Sequence, residues 1–246
     1  MSSNNPSRRR SRPVEKKSAV KKIKRNKPAM LLAIFMVFIL IVGGLYAITQ
    51  NLGSGNTTVN YQDDSKYKAA LADTVYPVAV LETSKGAIAV ELYTEEVPDT
   101  CNNFINLVKA GFYTNLVFHR VANIYSTYPD RYIIQGGGFD SDGNKKTSPY
   151  GEIDLEISDN VRHVDGAIAM ARTQDLNSAT SQFYICDGEH DFLDDNYAAF
   201  GKVIYGMDVV REIARVDTGS KNTPQGEMSN WPVNDILINK ALIVKE

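Results

Sequence analysis

Two polar side chains and a glycine run stand out. Arg120 closes the run Phe118-His119-Arg120, and Gln135 opens Gln135-Gly136-Gly137-Gly138-Phe139 after 14 intervening residues. A guanidinium is rigid, permanently charged and rich in donors, and a glutamine amide both donates and accepts. Taken alone, Arg120 reads as a surface arginine on an alternating strand. Other chemistries fare worse. The glycine run lacks the Lys-Ser/Thr ending of a phosphate loop and reads as a tight turn. His119 has no Ser or Cys paired with it by motif, and His163 and His190 stand isolated, so no His-based metal site is expected. Cys101 and Cys186 lack C-x-x-C spacing and read as small buried apolar residues, with a single disulfide left open.

The elements that must position these groups are short. Residues 77–83 and 86–93 are β-branched-rich runs joined through Ser84-Lys85-Gly86, a hairpin pattern. A helix follows, with Pro98 in its first turn, apolar residues at Val97, Cys101, Phe104, Ile105 and Val108, and Gly111 past its end. Further strands are expected at 116–121, 132–135, 153–157, 167–171, 183–187, 198–204 and 235–244, with a second helix at 207–216. Many short strands and two helices predict a mainly β fold, a closed eight-stranded antiparallel barrel capped by two α-helices.

The N-terminal part is of another kind. Residues 1–28 carry 11 Lys+Arg against Glu15 alone, which leaves 16 against 28 Asp+Glu for the rest of the 246 residues. The acidic, foldable part has the wrong sign for phosphate, which argues against nucleic acid as a partner. Residues 29–48 are uncharged over 20 positions, and at about 1.5 Å per residue a helix of them spans roughly 30 Å of hydrocarbon. The Lys/Arg excess before that run predicts a single-pass transmembrane anchor, a cytoplasmic basic tail and an extracytoplasmic remainder. Polar residues 49–75 read as a flexible linker with a short helix-permissive patch at 66–72, and residues 76–246 as the folded domain.

Phe118-His119-Arg120-Val121, Gln135 to Phe139, Ala169-Met170-Ala171-Arg172, Ser181-Gln182-Phe183-Tyr184-Ile185, Phe192-Leu193-Asp194 and Phe200-Gly201-Lys202-Val203 resemble, in order, the signature blocks of the cyclophilin-type peptidyl-prolyl cis-trans isomerases. The wording is most similar to bacterial exported members. The resemblance covers residues 77 to 246. It implies Arg120 as the catalytic arginine, oriented by Gln135, and His119 as structural support. It implies a proline pocket of Tyr132, Ile133, Tyr184 and Leu193, with Phe192 and Tyr197 at its rim. Ala171, Arg172 and Gln182 would line the groove for residues preceding proline. Two departures stand out: the Arg120–Gln135 spacing carries an insertion, and Phe192 and Tyr197 replace the Trp and His of many members.

The reaction such a site would serve breaks no bond. Rotation about a peptide C–N bond costs about 18–20 kcal/mol because the nitrogen lone pair is delocalised, and X-Pro bonds relax over tens to hundreds of seconds. An apolar slot for the ring and a donor to the localising lone pair suffice. The expectation is therefore a prokaryotic isomerase, a monomer without a cofactor, acting on proline-containing polypeptides during folding of exported proteins. The alternative is a non-catalytic proline-peptide-binding chaperone or scaffold module.

Overall fold

The computed structural model describes residues 61–125 and 127–246. The basic tail and the apolar run 29–48 lie outside the described residues, and among the described residues no helix is long and apolar enough to cross a membrane.

Eight strands close into an antiparallel barrel: β1 (Val78–Thr83), β2 (Gly86–Leu92), β3 (Leu116–Ala122), β4 (Tyr132–Asp140), β5 (Ala167–Met170), β6 (Phe183–Asp187), β7 (Ala199–Tyr205) and β10 (Leu237–Lys245). Their order around the barrel is β1-β10-β3-β4-β6-β5-β7-β2. The interior is filled by Leu81, Ile88, Val90, Phe118, Ile134, Ile168, Met170, Phe183, Ile185, Phe200 and Ile238. Full burial of each such side chain contributes about 1.5–3 kcal/mol.

Two helices add apolar stripes to this interior. They are α2 (Pro98–Lys109) and α3 (Met207–Ile213), which follow α1 (Ser65–Ala72) in the chain. Phe104 of α2 meets the rings of Tyr113, Phe183 and Phe200 at 5.2, 5.6 and 5.1 Å, and α3 contributes Val210 and Ile213. Cys101 and Cys186 are free and buried, and burial pushes the Cys101 thiol up to about 12.

Several expectations are corrected. Residues 153–157 are not a strand: Ile153 makes one bridge to Ala179, and the Leu155 amide donates to the Asn177 side chain. The segment instead brings the Glu156 carboxylate to the N–H groups of Asp99 and Thr100, at 3.4 and 2.9 Å. It so caps a helix whose Val97 offers no capping side chain, where a negative charge is favoured. The end of the expected linker is ordered. Tyr61–Asp63 form a 3-10 turn and Ser65–Ala72 form helix α1, and Tyr67 is buried with Val78, Val80, Ala87 and Ala89 on the outside of the barrel.

A second hairpin, β8 (Thr218–Thr223) with β9 (Gly226–Pro232), was not expected from the polar residues 218–230. Trp231 pins it against Val117 and Phe139 and donates from its indole N–H to Asp235 at 2.7 Å. Finally, the glycine run is no turn but part of β4. Gly137 has φ +83°, and a Cβ there would sit 2.7 Å from the Ser181 carbonyl oxygen, which only glycine accommodates comfortably.

Candidate active site

A one-residue bulge builds the centre of the site. Phe118 pairs with Gly136 and Arg120 with Gln135, so β3 takes two steps where β4 takes one. Phe118 and Val121 both enter the interior, which leaves His119 and Arg120 on the outer face together, the re-aiming a bulge provides. His119 is buried against Phe139 and Trp231, rings at 4.8 and 6.0 Å, and burial drops its pKa to about 4. Arg120 turns to Gln135, donating from Nη1 to Oε1 at 3.2 Å. Gln135 Nε2 donates to Gln182 Oε1 at 3.1 Å.

Half-burial holds the Arg120 pKa below the ordinary guanidinium value, and it stays cationic at neutral pH. Among the described residues no carboxylate lies within ion-pair distance of it.

Strand register places an apolar patch beside this arginine. Gln135, Tyr184 and Ala169 form one row across β4, β6 and β5, and Ile133 and Cys186 pair in the next outward row. Ile133, Tyr184, Leu193, Ala169, Cys186 and Ala199 are buried together, with Ala171, Tyr197 and Ile124 packed on them. Side chains alternate along a strand, so Tyr132 faces the other way. It packs against the interior cluster with Arg215 over its ring at 4.5 Å, and the structure does not bring it to the patch.

Phe192 lies at the edge, 42% exposed. Arg172 covers Tyr197 at 4.6 Å and donates to the carbonyls of Asn196 and Thr173 at 2.9 and 2.8 Å. Among the described residues no group of three or more His, Cys, Asp and Glu could hold a metal.

Residues 78–241 match the family described as cyclophilin type peptidyl-prolyl cis-trans isomerase/CLD. The chain belongs to this family. Peptidyl-prolyl cis-trans isomerase A of Dickeya dadantii is 37% identical over 186 residues, covering 73% of this chain and 91% of that protein. Peptidyl-prolyl cis-trans isomerase B of Escherichia coli is 33% identical over 174 residues, 68% of this chain and 99% of that protein. The crystal structure of a Cryptosporidium parvum cyclophilin type isomerase superposes with a TM-score of 0.59 at 26% identity, covering 70% of this chain and 99% of that one. A second structure of that protein was determined in the presence of the dipeptide Ala-Pro.

In this cyclophilin two groups near the site escaped the sequence. His163, isolated along the chain, is buried with its Nδ1 2.8 Å from Asp194 Oδ1 and its Nε2 2.9 Å from the Tyr184 hydroxyl. Burial lowers its pKa. The neutral ring therefore donates to the carboxylate and accepts from the tyrosine, fixing a ring of the apolar patch from beneath. Nothing in the spacing of residues 163, 184 and 194 announces this chain. The second is Ile124, a residue of the insertion noted above that joins the patch wall.

Proposed function

We propose that this cyclophilin turns X-Pro bonds with Arg120 as the accelerating group, seating the proline ring on Ile133, Tyr184 and Leu193, at the outer face of a prokaryotic cell membrane. The carrying observation is the cationic Arg120, held by an amide rather than a carboxylate, beside a buried apolar patch. An ion pair would neutralise the guanidinium. Gln135 leaves its remaining donors free, and these meet the prolyl nitrogen as its lone pair localises in the twisted amide. Gln135, fixed by Gln182, orients the guanidinium. Ala171, Arg172 and Gln182 flank the end of the patch that takes residues preceding proline, and His119 braces the bulge from below.

The location rests on the uncharged run 29–48 behind a basic tail. A monomer anchored there would act on polypeptides folding after export.

The full chain, assayed by line exchange in nuclear magnetic resonance on Ala-Ala-Pro-Ala peptides, should accelerate exchange. Arg120→Ala should lower kcat/KM by about 10²-fold with thermal unfolding unchanged; full activity in that variant would remove the mechanism. Protease added to intact cells should degrade the barrel, and alkaline washing of membranes should not release the full chain. Protection from the protease, or release by the wash, would refute the location.

A further inference from the structure

The described residues of the insertion between Arg120 and Gln135 are tied to one another by hydrogen bonds. Asn123 clamps them, accepting at Oδ1 from the Tyr125 N–H at 3.0 Å and donating from Nδ2 to the Tyr128 carbonyl at 2.7 Å. The Tyr128 N–H returns to the Tyr125 carbonyl at 3.0 Å, and the Arg131 N–H to the Tyr128 carbonyl at 3.3 Å. These bonds line up three rings. Tyr125 stacks on Phe192 with centroids 4.9 Å apart and planes at 25°, and on Tyr128 at 5.3 Å and 26°. Arg131 closes the Tyr128 end at 3.9 Å, and His190 meets Phe192 edge-on at 5.9 Å.

Tyr125 is stacked on both faces and Arg131 covers Tyr128, yet the three residues are each 40–43% exposed. What it offers solvent is therefore a row of ring edges, the positive rim of the aromatic quadrupole, which attracts the face of another ring.

Register fixes where this row lies. Phe183, which follows Gln182, pairs with Gly136, and Asp187 pairs with Tyr132. The groove residue Gln182 and the insertion thus flank opposite ends of the same strands, about 17 Å apart at roughly 3.3 Å per residue. Gln135 and Ile133 lie between. Phe192 adjoins Leu193 in one 3-10 turn, and Ile124 joins the same patch, so the ledge continues the proline site without a gap.

We propose that Tyr125, Tyr128 and Phe192 form a specificity subsite for an aromatic side chain immediately following proline. This rests on the reading above that Gln182 and Ala171 flank the residues preceding proline. The occupant is aromatic because exposed edges, rather than faces, are on offer. A peptide entering from the Gln182 end leaves the slot across Phe192, one residue on.

The test is the full chain with Ala-Ala-Pro-Xaa peptides, Xaa being Phe, Ala or Lys, followed by exchange spectroscopy. Phe should exceed Ala in kcat/KM by about three- to ten-fold. Tyr125→Ala should bring that ratio close to one, and Tyr125→Phe, which keeps the ring, should retain it. As an independent readout, the ring protons of Tyr125 and Phe192 should shift on titration with the Phe peptide and not with the Ala peptide. Equal catalysis of Phe and Ala peptides, or an unchanged ratio in Tyr125→Ala, overturns the ledge and leaves the isomerase reading standing. A preference for Lys overturns it in favour of a subsite selecting positive charge. Absence of catalysis on every peptide overturns both readings.

Discussion

Strand β4 turns Ile134 into the barrel and Ile133 and Gln135 out of it, and the two sides of this one strand are built differently. Inside, three aromatic rings around Phe104 and the surrounding aliphatic residues fill the space. Outside, a smaller apolar patch ends abruptly at a guanidinium, two glutamine amides and a buried histidine. The interior can lose stability without touching the reaction. The outer face can lose the reaction at little cost to stability, because Arg120, Gln135 and Gln182 are only partly buried and contribute little to the core.

The widest separation should come from Phe104→Ala, which is expected to cost about 3–5 kcal/mol in urea unfolding. Any molecules still folded should keep the kcat/KM of the parent; a site deranged in the folded fraction would mean the two faces are coupled. Acid should act next most strongly. His119 holds its pKa near 4 when folded against the ordinary 6.5, so between those values the unfolded chain takes a proton that the folded chain refuses. Stability should be complete above about pH 6.5 and fall by about 3 kcal/mol as pH drops to 4. His119→Asn should flatten part of that slope in urea midpoints.

On the outer face, Gln135→Ala should lower kcat/KM by about 10-fold or more through a loosened Arg120, with the unfolding midpoint unmoved. The smallest effect is expected at Gly138, where an added Cβ would fall 2.6 Å from the Gln182 side chain. Gly138→Ala should displace that amide and cost about 10-fold or less in kcat/KM, measurable against an unchanged Phe104 core.

The same contrast explains what could be read in advance. The interior announces itself through alternation and helical spacing, and seven of the barrel strands fall where such patterns are clean, as in Val78–Thr83 and Gly86–Leu92. Strand β4 was expected only as far as Gln135, because its glycines carry no alternating signal.

The outer face depends on departures from pattern. The bulge at His119 puts consecutive residues on one side, and periodicity cannot express that. Tyr132 looks like a pocket residue beside Ile133, yet a period of two sends neighbours to opposite faces. Residues 153–157 alternate like a strand, but their polar backbone groups go to a side chain and a single bridge. The β8–β9 hairpin is polar on almost every position and is held by one aromatic anchor, so nothing in its hydropathy marks it. The ring stack of the insertion needs a partner 67 residues away, at Phe192, which local sequence cannot supply.

That anchor, Trp231, is the sole tryptophan of the 246 residues, and its indole lies 6.0 Å from the imidazole of His119. The chain thus carries a built-in optical gauge beside the residue that precedes Arg120. Its emission should dim as His119 acquires a proton, and should report any strain that a bound peptide transmits through the bulge, with no label attached.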